Sequence, residues 1–231
     1  MQRTEGTFPG DDRKVIRGAV FDVDGTLLDS MFIWNTIGDR YLRSLGIIPR
    51  ENLAETFKTF TLEQAAQYYI DHYGVKLSVA EITEGINRMI ERFYFKEALL
   101  RPGVKDFLKR LQKAGIKMVI ATATDRYLVE AALKRCGVLD FFEEIFTCAE
   151  YGSKRKPEIY ESAADFLGTA RKDTWVFEDA FHGAKTASGA GFRVLGIRDP
   201  SEENQQGLQS VSDVYLTDFQ HSKPFWDFVS L

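Results

Sequence analysis

Short apolar runs that stop at polar clusters, with helical patterns of ten to fifteen residues between them, restrict this chain to few architectures. Val15–Phe21 (V-I-R-G-A-V-F) ends at Asp22, Ile116–Ala121 at Thr122, and Thr174–Phe177 at Glu178. Further runs lie at Arg193–Ile197 and Val214–Leu216. None of them alternates apolar with polar, which suits strands buried on both faces. Helical patterns fill Val104–Ala114, Glu158–Leu167 and Ala180–Ala190, and Gly115 stands where the first of them needs a C-cap. Strands alternating with helices predict an α/β fold: a doubly wound, Rossmann-like parallel sheet covered on both faces.

One block departs from this alternation. From Met31 to Ala98 the apolar residues recur at helical spacing: Phe32, Trp34, Ile37, Tyr41 and Leu45; Ala65, Tyr68, Tyr69 and Tyr73; Ile82, Ile86, Met89, Ile90 and Phe93. A crossover needs only about a dozen residues. The excess predicts a helical cap, residues 31–98, inserted over the carboxyl end of a core formed by 15–30 and 99–231, where open α/β folds bind ligands. Residues 1–14 read as a polar tail without the apolar stretch of a secretory signal. The aromatic segment after Thr217 is expected to dock on the core.

Charge and cysteine usage narrow the functional classes. The 231 residues carry a net charge of −4 with no basic stripe, which argues against nucleic acid as partner. No window approaches the roughly 20 apolar residues of a membrane span. Cys136 and Cys148 have neither C-x-x-C nor metal-finger spacing and read as reduced thiols of a cytoplasmic protein. No signature of an oligomeric state is present.

The chemistry sits in four polar clusters. In Asp22-Val23-Asp24-Gly25-Thr26 the two aspartates share a face at period 2, and Gly25 permits a sharp turn. Two carboxylates so placed can divide their work, one ionised as nucleophile beside a metal and one exchanging a proton. Thr122-Ala123-Thr124-Asp125 puts a hydroxyl and the free N–H groups of a starting helix at a strand end, a natural anion site, with Asp125 as plain N-cap. Ser153–Tyr160 (S-K-R-K-P-E-I-Y) places a basic triplet before a helix whose first turn holds Pro157; a lysine there could neutralise a phosphoryl group. Glu178-Asp179 ends a buried strand, where adjacent carboxylates need a partner, and oxygen ligands favour a hard ion such as Mg²⁺.

These clusters, in this order, resemble the haloacid dehalogenase superfamily, and the similarity runs from Val15 to about Leu216. D-V-D-G-T-L-L-D-S is similar to its first motif, A-T-A-T to its second, S-K-R-K-P-E-I-Y to its third and V-F-E-D-A-F-H-G-A-K-T-A-S-G-A-G-F to its fourth. A helical cap between the first two motifs resembles the subclass of β-phosphoglucomutase and phosphoglycolate phosphatase. The resemblance implies a Mg²⁺-dependent phosphatase of small phosphorylated metabolites. Asp22 is then the nucleophile and Asp24 the general acid–base. Thr122, the Ala123 N–H and Lys154 bind the phosphoryl oxygens, with Lys156 a competitor for the lysine role. Asp22, Asp24 (through its carbonyl), Glu178 and Asp179 make the metal site. Phe32, Trp34 and Thr61 are the cap candidates for substrate contact. Dehalogenase chemistry is disfavoured by Asp24, and mutase chemistry by Trp34 where the mutases carry a histidine. A non-catalytic phosphometabolite-binding module is the remaining alternative, disfavoured because every motif position is filled.

Overall fold

The computed structural model describes residues 14–50, 53–57 and 60–230. Of the polar tail, only Lys14 falls within them.

Six parallel strands form the central sheet among the described residues: β1 Gly18–Phe21, β2 Lys117–Thr122, β3 Ile145–Thr147, β4 Thr174–Glu178, β5 Arg193–Ile197 and β6 Val214–Leu216. Their spatial order is β3-β2-β1-β4-β5-β6. The winding reverses between β1 and β4, which is where a doubly wound sheet opens a crevice at its carboxyl ends. The unalternating sequence of β1 and β4 follows from burial on both faces. Ala19 and Phe21 enter one hydrophobic core and Val20 the other. Phe21 also stacks on its register partner Phe177, with ring centroids 4.0 Å apart.

Two expectations change. The run Val15–Phe21 is not one strand: Lys14–Val15 pairs instead with Val229–Ser230, and the chain bends at Arg17, whose N–H bonds to the Asp173 carbonyl at 2.8 Å. This separate pairing fastens the C-terminal segment, whose Phe219, Phe225 and Trp226 pack on Phe107 of the helix Val104–Lys113. The Arg110 guanidinium covers Trp226 at 3.9 Å. The predicted docking of the aromatic tail is thereby met. Strand β3 was not predicted, because three residues carry no measurable period.

Between Asp29 and Leu99 the described residues form four α-helices: α1 Met31–Ser44, α2 Leu53–Phe57, α3 Leu62–Tyr73 and α4 Val79–Arg92. Thr61 with Gln64 and Ser78 with Glu81 form capping boxes that start α3 and α4. Gly74, at φ +66°, ends α3 in the left-handed conformation that glycine adopts without strain. Helix α4 passes directly into a π-turn, Phe93–Glu97. Leu28–Asp29 and Leu99–Leu100 then pair antiparallel, holding the two crossings of this segment side by side. No helix among the described residues is long and apolar enough to cross a membrane.

Candidate active site

The carboxyl ends of β1 and β4, adjacent and in register, bring Asp22 beside Glu178 and Asp179. Their carboxylate oxygens lie within 4.8 Å of one another, and all three side chains are buried. The loop before the helix Glu158–Leu167 supplies Lys154, 6% exposed, whose ammonium binds Asp22 Oδ1 and, at 2.8 Å, Glu178 Oε1. The Tyr160 hydroxyl donates to the same Glu178 oxygen at 2.8 Å, and the Ala180 N–H donates to Oε2. Thr26 donates to Asp179 Oδ1 at 3.2 Å. Two glycines make this packing possible. A Cβ on Gly25, which sits at φ +83°, would lie 2.1 Å from Asp179 Oδ2, and one on Gly183 would lie 2.4 Å from Glu178 Oε1.

Electrostatically the cluster is out of balance. Three buried carboxylates face one ammonium, an excess of two negative charges when all are ionised. Burial pushes Asp22 up to about 7; Lys154 opposes this while Glu178 and Asp24 add to it. Burial likewise raises Asp179 well above the carboxylate range, with Asp22 and Glu178 contributing. Burial works to lower Lys154, but Asp22 and Glu178 outweigh it and hold the ammonium above its ordinary value, so the lysine stays charged. An all-oxygen donor set with a two-charge deficit fits a hard divalent cation, which would offset the desolvation that raises both aspartates.

The second aspartate has different company. Asp24 Oδ1 accepts the hydroxyls of Ser30 and Tyr94, each at 2.5 Å, and Oδ2 accepts the Thr124 hydroxyl at 2.6 Å. A cavity of about 1170 Å³ opens over both aspartates, walled on one side by Lys154, Glu178, Asp179, Ala123 and Thr124 and on the other by α1–α4.

Comparison with known proteins accords with this geometry. The family model of the haloacid dehalogenase-like hydrolases matches residues 16–191. Hexitol phosphatase A of Escherichia coli is 30% identical over 190 residues, covering 80% of this chain and 85% of that one. This chain belongs to the haloacid dehalogenase-like hydrolases. Protein CbbY of Cereibacter sphaeroides is 27% identical over 192 residues, covering 78% of this chain and 84% of the relative. The crystal structure of CbbY from Rhodobacter sphaeroides in complex with phosphate shares the fold, with a TM-score of 0.70 at 24% identity over 90% of this chain and 97% of that one.

Within this hydrolase frame the predicted residues separate. Asp22, Lys154, Glu178 and Asp179 converge, and Asp24, Ala123 and Trp34 line the cavity. Lys156 is exposed, outside the cluster that holds Lys154. Thr122 is fully buried at the end of β2, its hydroxyl accepting the Thr124 N–H at 3.1 Å, while its neighbours Ala123 and Thr124 reach the cavity. Thr61 lines the cavity, with its hydroxyl engaged in the α3 capping box. Phe32 is not part of the cavity wall and packs edge-on against Phe93 instead.

Sequence reasoning missed Ser30, Tyr94 and Thr124 around Asp24, and Tyr160 on Glu178. Ser30 closes the D-V-D-G-T-L-L-D-S string, and Thr124 stands two residues after Thr122, so both carried a positional hint. Tyr94 and Tyr160 are aromatic residues within helical patterns, where core packing accounts for them equally well.

Proposed function

We propose that this chain is a Mg²⁺-dependent phosphatase of small phosphorylated metabolites, acting through an aspartyl-phosphate on Asp22. The observation that carries the proposal is the pairing of two differently prepared aspartates under one cavity. Asp22 lies among carboxylates and Lys154, whereas Asp24 is held by three hydroxyls and, among the described residues, by no cation. The first environment suits a nucleophile beside a metal and the second a proton carrier.

Asp22, Glu178, Asp179 and the Asp24 carbonyl are the residues that would hold the ion. When bound, Mg²⁺ supplies positive charge to the phosphoryl oxygens and keeps Asp22 ionised. An oxygen of Asp22 attacks phosphorus, and the P–O ester bond breaks with its electron pair going to the leaving oxygen. Asp24 gives that oxygen its proton. Water then forms the new P–O bond, returns a proton to Asp24 and releases Asp22. Lys154 holds Asp22 in position and offsets charge on the transferring group. The Ala123 N–H completes the phosphate contacts, beside Thr122, whose buried hydroxyl accepts the Thr124 N–H and holds that turn in place.

The helical wall offers the amides of Asn35 and Asn87 and the rings of Trp34, Phe57 and Phe60. The charges on this wall are engaged, Arg43 with Asp39 at 2.7 Å and Arg50 with the His72 carbonyl, so the neutral amides and aromatic faces suit a hydroxylated, uncharged body such as a sugar or polyol phosphate, in keeping with a relative named as a hexitol phosphatase. At Trp34 the wall brings an indole and no base, which favours hydrolysis over sugar-phosphate transfer. A reducing, cytoplasmic setting is part of this proposal, with Cys136 and Cys148 unpaired.

Phosphate release from p-nitrophenyl phosphate and a panel of sugar, polyol and nucleoside monophosphates, with and without Mg²⁺, tests the proposal. Mg²⁺-dependent release with a polyol or sugar phosphate among the best substrates is expected. Absence of release from every compound would overturn it.

A further inference from the structure

The hydroxyls around Asp24 come from three separate stretches of chain. Ser30 immediately precedes α1, Tyr94 lies in the π-turn that follows α4, and Thr124 follows β2. Both donors to Oδ1 therefore belong to the two crossings of the helical segment, and the donor to Oδ2 belongs to the sheet. Tyr94 is the most constrained of the three. Its side chain is fully buried, and its ring packs edge-on against Phe93 at 5.3 Å. The Ala98 N–H closes the wide turn on the Phe93 carbonyl at 2.9 Å. Single π-turns of this kind cost regular helical bonding and recur where a side chain has to be aimed.

We propose that Tyr94 is a positioning residue for Asp24, fixing Oδ1 so that the leaving group receives its proton from Oδ2 and tying that delivery to the helical segment. This rests on the acid–base role given to Asp24 above. A carboxyl has two oxygens that exchange places by rotation. Two short O–H donors occupy the lone pairs of Oδ1 and leave no room for a proton there. The transferable proton is then confined to Oδ2, where the Thr124 hydroxyl can turn from donor to acceptor as the proton arrives. Without the phenol, Oδ1 keeps Ser30 alone, and the carboxyl is free to rotate out of the direction the leaving oxygen requires.

The experiment compares phenyl phosphate with p-nitrophenyl phosphate in wild type, Tyr94→Phe and Asp24→Asn, all at saturating Mg²⁺. Nitrophenolate departs without a proton, whereas phenolate gains from one, so only misplaced acid catalysis separates the two substrates. Tyr94→Phe is expected to lower kcat/KM, which reports the step in which the leaving group departs, about tenfold for phenyl phosphate, near the lower end of what a hydrogen bond to a charged group contributes, and by less than about twofold for p-nitrophenyl phosphate. Phenylalanine keeps the buried ring, and the ratio of two substrates in one preparation does not depend on the fraction folded. An equal loss on both substrates, or none, overturns the role of Tyr94 provided that Asp24→Asn itself shows the bias. If Asp24→Asn shows no bias, the acid–base assignment fails and the role of Tyr94 with it.

Discussion

The two walls of the cavity are built on opposite terms. On the sheet side Asp22, Glu178, Asp179 and Lys154 are each at most 7% exposed, and each is held by a partner. No buried side-chain N or O among the described residues lacks a hydrogen bond. On the helical side the wall includes rings in edge and tilted contact, Phe57 with Phe60 and Tyr69, and Trp34 is 43% and Phe60 38% open to solvent. Charges gathered in a buried site depend on one another, so removing one strands the rest. Ring contacts are individually small and can be exchanged. In the proposed mechanism the difference separates the nucleophile and its ion site, fixed by the sheet, from a substrate preference set by the helices.

Three experiments would break or sharpen this contrast. The largest effect is expected from Lys154→Ala, which leaves three buried carboxylates with no ammonium. Turnover should fall by about a thousandfold. Stability without Mg²⁺ should fall by about 3 kcal/mol, read by urea unfolding, with part recovered on adding Mg²⁺. Lys156→Ala, on an exposed side chain, should change turnover by less than about twofold. Equal effects from the two lysines would erase the distinction between the buried cluster and its surface.

Next comes pH. Asp22 moves from an ordinary 3.8 to about 7 in the folded protein, chiefly through burial. A carboxyl with a raised folded value holds its proton more tightly when folded. Its favourable contribution is therefore complete below about 4 and lost as pH rises through about 7. In Mg²⁺-free protein the melting temperature of wild type should fall across that window relative to Asp22→Asn, whose amide does not titrate. The gain on adding Mg²⁺ should be larger at about pH 8 than at about pH 5, because protons compete with the ion. A gain independent of pH would contradict binding at these carboxylates.

The smallest effect belongs to the helical wall. Trp34→Ala should raise KM several-fold for the best sugar or polyol phosphate while changing kcat for p-nitrophenyl phosphate by less than about threefold, and should shift the melting temperature little. A fall in kcat on all substrates would move Trp34 from the specificity side to the chemical side.

Legibility in the sequence follows the same division. Strands buried on both faces have unalternating runs, so β1, β2, β4, β5 and β6 could be read, as could the polar residues that stop them. The two-residue pairings and β3 were too short to carry a period, and Lys14–Val15 was absorbed into β1 because its partner, Val229–Ser230, lies at the other end of the sequence. The buried acids and Lys154 stood out because charge at a strand end requires a reason. The hydroxyls on Asp24 did not: Tyr94 looks like one more apolar member of a helical stripe, and its turn toward Asp24 comes from the π-turn, which no residue pattern announces. Phe32 and Trp34 are two positions apart on one helix, a separation that points them to different sides, and only Trp34 reaches the cavity.

The central claim is the covalent step on Asp22. Wild type and Asp22→Asn would be mixed with p-nitrophenyl phosphate and Mg²⁺, quenched in acid within the first turnovers, digested, and examined by mass spectrometry for phosphate on the peptide containing Asp22. Phosphate on that residue in wild type, and loss of both the adduct and at least about ten-thousandfold of turnover in Asp22→Asn, is the predicted result. Turnover that survives Asp22→Asn, with no phosphate on the wild-type peptide, would contradict it.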